Sequence, residues 1–155
     1  MKTLIIYASV HHQNTEKIAR AMGLVLNASV LNFFQVKPKE IKEADLIGFG
    51  SGVYFGKFHQ GLIKLAQSLP LTKKKAFLFS TSGMKKNFII NYSHNHFKKI
   101  LKARGWEIID EFNCLGFDNF GLLRIIGGIN KNRPHQQDLA QAKDFTRSLN
   151  KKIKE

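Results

Sequence analysis

The amino-terminal stretch joins a short buried-strand pattern to a polar loop and a helical pattern. Leu4 to Tyr7 is an apolar, β-branched run typical of a strand buried on both faces. Six small or polar residues, Ala8 to Gln13, follow, and Asn14 or Thr15 is then expected to cap a helix with apolar residues at 18, 22 and 25. Strand and helix patterns alternate along the rest of the chain. This alternation predicts an α/β fold with a parallel sheet, because parallel strands need crossover connections.

The remaining elements extend this alternation over one domain, residues 1–155. Further strands are predicted at 28–34, 45–50, 75–80 and 106–113, with helices around 62–69, 94–104 and 136–153 and a helical turn that starts at Pro38. In the fifth strand, Trp106, Ile108 and Phe112 are expected on one side. No G-x-G-x-x-G follows the first strand. The sequence therefore favours a five-stranded sheet of order 2-1-3-4-5 with helices on both faces over a six-stranded dinucleotide fold.

The first loop has the composition of an anion site. Backbone N–H groups gather where a strand end meets the positive end of a helix dipole, and a phosphate suits such a position. Val10 and Gln13 belong to this loop, and its donor side chains are Ser9, His11, His12, Asn14 and Thr15. An ordinary βα loop, polar because it faces water, is the open alternative.

Two other loops are predicted to meet the first at the carboxyl edge of the sheet, where ligands of open α/β folds bind. In 51–57, Gly52 and Gly56 let the backbone approach a flat ring, and Tyr54 and Phe55 are available to stack on it. The loop at 81–84 adds hydroxyls and close backbone. His59 is expected to cap the helix that follows the second loop. A phosphate pocket beside an aromatic slot fits a phosphorylated planar cofactor.

The segment 114–134 is too long for a simple connection between a strand and a helix. It is also apolar, so it either packs over the carboxyl edge of the sheet as a lid or forms a surface for a partner or a membrane. Cys114, the single cysteine, begins it. One cysteine excludes an internal disulfide and suits a reducing compartment. With neither a membrane-span nor a signal-peptide pattern, we expect a cytoplasmic protein.

The charge balance is strongly basic. Twenty-five Lys and Arg against eleven Asp and Glu give a formal net charge of +14. Such a field attracts anions of every kind, but no nucleic-acid-reading motif accompanies it, so no specific nucleic acid is expected. Acidic proteins are among the partners that this charge favours, with membrane contact through 114–134 as a further option.

Three blocks of the sequence resemble the short flavodoxin family. They are Ile6 to Glu16, Gly50 to His59, and Gly116 to Pro134 with its Gly-Phe-Asp and Gly-Gly-Ile-Asn-Lys-Asn-Arg-Pro elements. The resemblance implies an electron carrier that binds flavin mononucleotide (FMN) and needs no catalytic acid, base or nucleophile. It implies redox proteins, acidic ones among them, as partners. It also implies phosphate contacts from Ser9, His11, Asn14 and Thr15. The ring would be bordered by Ser51, Gly52, Val53, Tyr54, Phe55 and Gly56 on one side and by Thr81, Ser82 and Gly83 on the other.

Two features depart from that family. Gln13 stands where a glycine usually precedes Asn-Thr, so a positive φ at this residue would be strained and would weaken cofactor binding. Flavodoxins are typically acidic, which makes the anionic reduced flavin costly to form. A +14 protein should relax that penalty and make the potential for the second electron less negative.

Two other readings stay open, and two more have little support. The pattern around 52–59 is also similar to flavodoxin-like protoporphyrinogen oxidases, which pass electrons to quinone at the membrane. A non-flavin binding module would use the basic surface alone. Metal binding by the histidines has little support, because no Cys or carboxylate lies at ligand spacing from His11–His12 or from His94 and His96. A nucleophilic role for Cys114 has little support either, because no catalytic motif surrounds it.

Overall fold

Five parallel strands and one short antiparallel strand form the central sheet of the structure, a computed structural model that describes residues 1–10, 13–83, 88–116 and 128–154. The parallel strands run in the order β2-β1-β3-β5-β6, and β4 pairs antiparallel with the end of β3. Counted along the chain without β4, this is the predicted order 2-1-3-4-5. The strands are β1 Thr3–Ala8, β2 Ser29–Asn32, β3 Leu46–Tyr54, β4 Lys57–Phe58, β5 Lys75–Ser82 and β6 Glu107–Leu115.

Helices cover both faces of the sheet. One face carries α1 and α5, which contact each other, and the other carries α3 and α4. Their bounds are α1 Asn14–Leu26, α2 Pro38–Glu43, α3 Gln60–Ser68, α4 Phe88–Ala103 and α5 Gln136–Lys154, with a 3₁₀ turn at Phe33–Gln35. Within the described ranges, no helix has the length and apolar character needed to cross a membrane.

Alternation along the strands divides the apolar core into two clusters. In β1, Ile6 packs on the α3–α4 side and Ile5 on the α1–α5 side, and both are fully buried. Two glycines of β3 make room for aromatic rings from β5: a Cβ on Gly48 or Gly50 would lie 2.3 Å from Phe77 Cζ or 2.0 Å from Phe79 Cζ. The apolar runs of β1, β3 and β5 are therefore strands buried on both faces, as predicted for β1.

The predicted alternation in the fifth parallel strand is wrong. Trp106 and Ile108 pack with the α3–α4 cluster, whereas Phe112 packs on the other side, with its ring centroid 5.4 Å from that of Phe145. The register shifts between Ala76 and Phe77, whose partners on β6 are residues 108 and 110. This extra residue is a β-bulge, and it moves every later side chain to the opposite face.

Several element ends also differ from the predictions. Gln13 is the N-cap of α1, whereas Asn14 and Thr15, the expected caps, are buried residues of the first turn. Both β3 and β5 run beyond residues 50 and 80, and β4 was not predicted. Pro38 begins α2, as expected. His11, His12 and residues 117–127 of the long segment lie outside the described residues.

Candidate functional site

The site lies where the strand order reverses. From β1 the chain passes to β2 on one side and later to β3 on the other, and the carboxyl ends of β1 and β3 are neighbours, with Ala8 paired to Ser51. The loop after β1, the β3–β4 turn and the residues after β5 all lie at this edge. Ligands of open α/β sheets bind in the crevice at such a reversal.

The first loop holds a buried hydroxyl that has no partner among the described residues. Ser9 Oγ is buried and makes no hydrogen bond within the described part of the chain. It lies just before α1, where backbone N–H groups and the helix dipole favour an anion. A buried hydroxyl normally has a partner, and beside the start of a helix an anionic ligand oxygen is a suitable one. This donor fits a phosphate.

Gln13 adopts the left-handed conformation, with φ 54° and ψ 27°. Its carbonyl accepts from Lys17 N at 3.0 Å, but its own side chain makes no capping hydrogen bond. The residue is exposed. The first loop therefore has a positive φ at a non-glycine residue, and no capping hydrogen bond from its side chain offsets that strain.

Thr15 joins the first loop to β5. Its Oγ1 lies 2.8 Å from Oγ1 of Thr81, and both side chains are buried. Asn14 is also buried, and it packs against Gly116, where a Cβ would come within 2.7 Å of Asn14 Nδ2. The start of the long segment thus closes over the first turn of α1. These contacts fix the first loop relative to the third.

The β3–β4 turn is a two-residue hairpin with positive φ at both central positions. Phe55 has φ 49° and Gly56 has φ 75°, the pattern of a type I′ turn. A phenylalanine in this conformation is an outlier, and its side chain is 92% exposed. Backbone strain of this kind concentrates at functional sites.

Tyr54 lies between the first loop and the hairpin. A Cβ on Gly52 would come within 2.6 Å of the Tyr54 hydroxyl, so this glycine makes room for the tyrosine ring. Burial raises the pKa of Tyr54, against a smaller lowering by a backbone hydrogen bond from Val10. The Tyr54 ring also meets His59 edge-on, with centroids 5.8 Å apart. Tyr54, the last residue of β3, therefore forms a half-buried aromatic wall of the site, and Val53 precedes it in the strand.

Ser51 serves the scaffold. Its Oγ donates to Gly52 O at 2.7 Å and accepts from His59 N at 2.8 Å, and the residue is fully buried. His59 in turn caps α3, since its Nδ1 accepts from Gly61 N at 3.0 Å. The cap predicted for His59 is confirmed. The Ser51 side chain fixes the exit from β3 and faces away from solvent.

The third loop is shorter than predicted. Thr81 and Ser82 belong to β5, so Gly83 alone of the three follows the strand. Ser82 Oγ accepts from Asn113 Nδ2 at 3.2 Å, and Asn130 Nδ2 donates to Gly83 O at 2.8 Å. Asn113 and Asn130 were missed by sequence reasoning, although Asn130 lies in one of the three blocks of family resemblance.

A buried polar chain extends from this loop through the α3–α4 face. Asn113 Nδ2 donates to Ser80 Oγ at 2.8 Å, and Ser80 Oγ lies 2.7 Å from His94 Nε2. His94 Nδ1 faces Glu111 at 3.3 Å, and Glu111 pairs with Lys98 at 2.9 Å. Ser80 and His94 are fully buried, so this serine–histidine–glutamate arrangement has no access to a substrate and serves the scaffold.

The Cys114 thiol is buried and poorly nucleophilic. Burial raises the pKa of its thiol to about 12, so little thiolate forms near neutral pH. Within the described ranges, no group of three His, Cys, Asp or Glu side chains could hold a metal ion.

Comparisons with known proteins identify relatives of the whole chain. The family model described as "Flavodoxin domain" matches residues 4–116. An uncharacterized protein of Methanocaldococcus jannaschii is 45% identical over 149 residues, which cover 96% of this chain and 98% of that protein. Among solved structures, a flavodoxin from the domain Archaea aligns with a TM-score of 0.71 at 20% identity over the full length of both chains. Oxidised Flavodoxin 2 from Bacillus cereus gives 0.73 at 18% identity, over 98% of this chain and 99% of its own.

Proposed function

Because the chain belongs to the flavodoxin domain family, we propose that it binds FMN at the carboxyl edge of its sheet and carries electrons between partner proteins. The observation that carries this proposal is the buried Ser9 hydroxyl in the loop before α1, which has no partner among the described residues and lies on an edge where three loops converge. When bound, FMN supplies the redox chemistry, and the protein binds it, orients it and excludes water.

The residues divide this work between them. Ser9, the N–H groups of the first loop and the positive end of α1 hold the phosphate, with His11 and His12 of the same loop as further proposed donors. Tyr54 lies against the ring, and Phe55 and Gly56 border its exposed edge. Gly83, held by Asn130, closes the opposite side.

Ser9→Ala tests the phosphate site. We expect the affinity for FMN to fall by roughly 10- to 100-fold, because a hydrogen bond to a charged group contributes about 1.5–3 kcal/mol. Affinity for riboflavin, which lacks the phosphate, should hardly change. Stability should hold as well, since the Ser9 hydroxyl has no partner within the described chain. Flavin fluorescence quenching and the visible spectrum measure binding.

Ser29→Ala is the matched control, because Ser29 is exposed on β2. Wild-type protein that neither quenches nor shifts the spectrum of excess FMN would refute the proposed cofactor. An equal loss of FMN and riboflavin affinity in Ser9→Ala would place the phosphate elsewhere.

A further inference from the structure

The charge of this chain is unevenly distributed. Every Asp and Glu lies outside residues 46–106, whereas eleven of the 25 Lys and Arg lie within them. The described residues of this stretch form β3, β4, α3, β5 and α4, half of the sheet with one of its two helix layers. The opposite layer mixes charges, as in the Glu16–Arg20 and Asp144–Arg147 pairs. The excess positive charge therefore belongs mainly to the α3–α4 half of the molecule.

Exposed aromatic side chains lie on the same half, beside the proposed flavin site. Phe55 is 92% exposed, and Phe88 and Tyr92, one turn apart on α4, are 79% and 57% exposed. The hairpin approaches α4 directly, since a Cβ on Gly56 would lie 3.7 Å from Ile89 Cγ2. Large exposed aromatics grouped in this way mark interaction sites.

Cations flank these rings. Lys57 follows the hairpin, Lys99 lies on α4, and both are exposed. His96, on α4 between Tyr92 and Lys99, stacks with Tyr92, with ring centroids 6.4 Å apart. Its pKa is lowered by burial first and then by the charges of Lys57 and Lys99, which places both ammonium groups near it. We call Phe55, Lys57, Phe88, Tyr92 and Lys99 the basic aromatic surface.

We propose that the basic aromatic surface docks an acidic redox protein, which exchanges electrons with this chain at the edge of the flavin site. The proposal rests on the proposed function for its purpose, but the docking itself needs no flavin. Protein interfaces commonly have aromatic residues at their centre and charged residues around them. The positive charges of Lys57 and Lys99 attract a negatively charged partner and steer its approach. The hairpin that carries Phe55 also borders the flavin site, so docking there brings the redox centre of a partner close to it.

An acidic protein fits this surface better than a nucleic acid does. Two ammonium groups around protruding aromatic rings give few phosphate contacts, whereas nucleic-acid affinity grows with the number of phosphates neutralised. A partner with carboxylates around an apolar spot matches both features of the surface.

The test measures binding of the full chain, with and without FMN, to an acidic [2Fe–2S] ferredoxin as the probe. Titration calorimetry measures the affinity at about 0.01 M and at about 0.15 M salt. Between these two concentrations the Debye length falls from about 30 Å to about 8 Å, so charge–charge attraction is screened more strongly. We expect the double variant Lys57→Glu/Lys99→Glu to weaken binding at least about tenfold at low salt, and the loss to shrink at high salt. Phe55→Ala should weaken binding about tenfold at both salt concentrations, because its contact is apolar.

The matched control is Lys151→Glu/Lys154→Glu, which makes the same change in net charge at the exposed end of α5. It should retain wild-type affinity within about threefold. Equal losses in both double variants would show that net charge alone attracts the probe and would overturn the proposal. Tighter binding of anionic lipid vesicles or of duplex DNA through Lys57 and Lys99 would also overturn it. Failure of FMN titration with ferredoxin binding intact would refute the flavin proposal and leave the docking surface supported.

Discussion

Replacing Gln13 with glycine should stabilise the protein, although most substitutions destabilise. The left-handed conformation at φ 54° costs a non-glycine residue about 1–2 kcal/mol. Glycine removes that strain but loses roughly 0.5–1 kcal/mol through its greater freedom in the unfolded chain. The exposed Gln13 side chain makes no capping hydrogen bond that would be lost. The net expectation is a gain of about 0.5–1 kcal/mol in the free energy of unfolding, or roughly 1–4 °C in melting temperature.

Urea denaturation followed by circular dichroism measures this gain, with the m-value checked for constancy. Gln141→Gly is the matched control, since Gln141 is an exposed residue inside α5. The same chemical change in right-handed helix should destabilise by about 1 kcal/mol. Gln13→Ala, which keeps a Cβ, should leave most of the strain in place. Destabilisation of Gln13→Gly to the same degree as Gln141→Gly would refute the left-handed conformation of the first loop.

FMN affinity of Gln13→Gly tests a separate point. We expect the first loop to keep its left-handed conformation at Gln13 with and without FMN, so the strain destabilises the free and the bound protein alike. Affinity should then change by less than about threefold, even though stability rises. The sequence-based expectation that Gln13 weakens cofactor binding would instead be supported by a gain in affinity larger than the gain in stability.

Four further outcomes are expected. His59 accepts from Gly61 N through an unprotonated nitrogen, and burial lowers its pKa. The unfolded chain therefore binds more protons, and stability should fall as pH drops below about 6.5. His59→Asn, a cap that does not titrate, should reduce this fall in urea unfolding at pH 5 to 8. Lys74 donates to three carbonyls at the end of α2, so Lys74→Met should cost about 1–3 kcal/mol in thermal or urea unfolding, whereas Lys73→Met, exposed, should cost little. Cys114, with its pKa raised to about 12, should react with iodoacetamide at pH 8 far more slowly in the folded than in the urea-unfolded protein, and equal rates would contradict its burial. With FMN bound, the net charge of +14 should make the potential for the second electron less negative than in acidic flavodoxins, and spectroelectrochemical titration to an equally low value would contradict this.

The strand order was predictable because each strand carries its own signal. Short apolar runs alternating with amphipathic helices leave few right-handed layouts, and the missing glycine motif after β1 selects among them. The reversal of side chains along β6 was not predictable in this way. Neither glycine nor proline marks the bulge near Ile109, and the shift depends on pairing with β5.

The meeting of the three loops at the carboxyl edge of the sheet was predictable, but the contacts made by each side chain were not. Positive φ at Gln13 follows from its place in the first loop of the family pattern. The inward direction of Ser51, Thr81 and Ser82 depends on β3 and β5 continuing past their predicted ends, because alternation then decides which hydroxyl faces which layer. The role of His94 was not predictable from the pattern of its helix, because its partners Ser80 and Glu111 lie on two different strands.

The hydroxyl contacts at the strand ends divide the site into a scaffold and a recognition group. Ser51, Thr81 and Ser82 bond to other protein groups at the carboxyl edge, so they hold the loops in place before a ligand arrives. Ser9, whose hydroxyl has no partner within the described chain, is the group that we expect to bond to the proposed anion. Preorganisation of this kind raises affinity because little remains to be ordered on binding. Thr81→Val should therefore lower stability by about 1 kcal/mol together with FMN affinity, whereas Ser9→Ala should lower affinity alone. If both substitutions changed stability and affinity in the same proportion, the division between scaffold and recognition would be wrong.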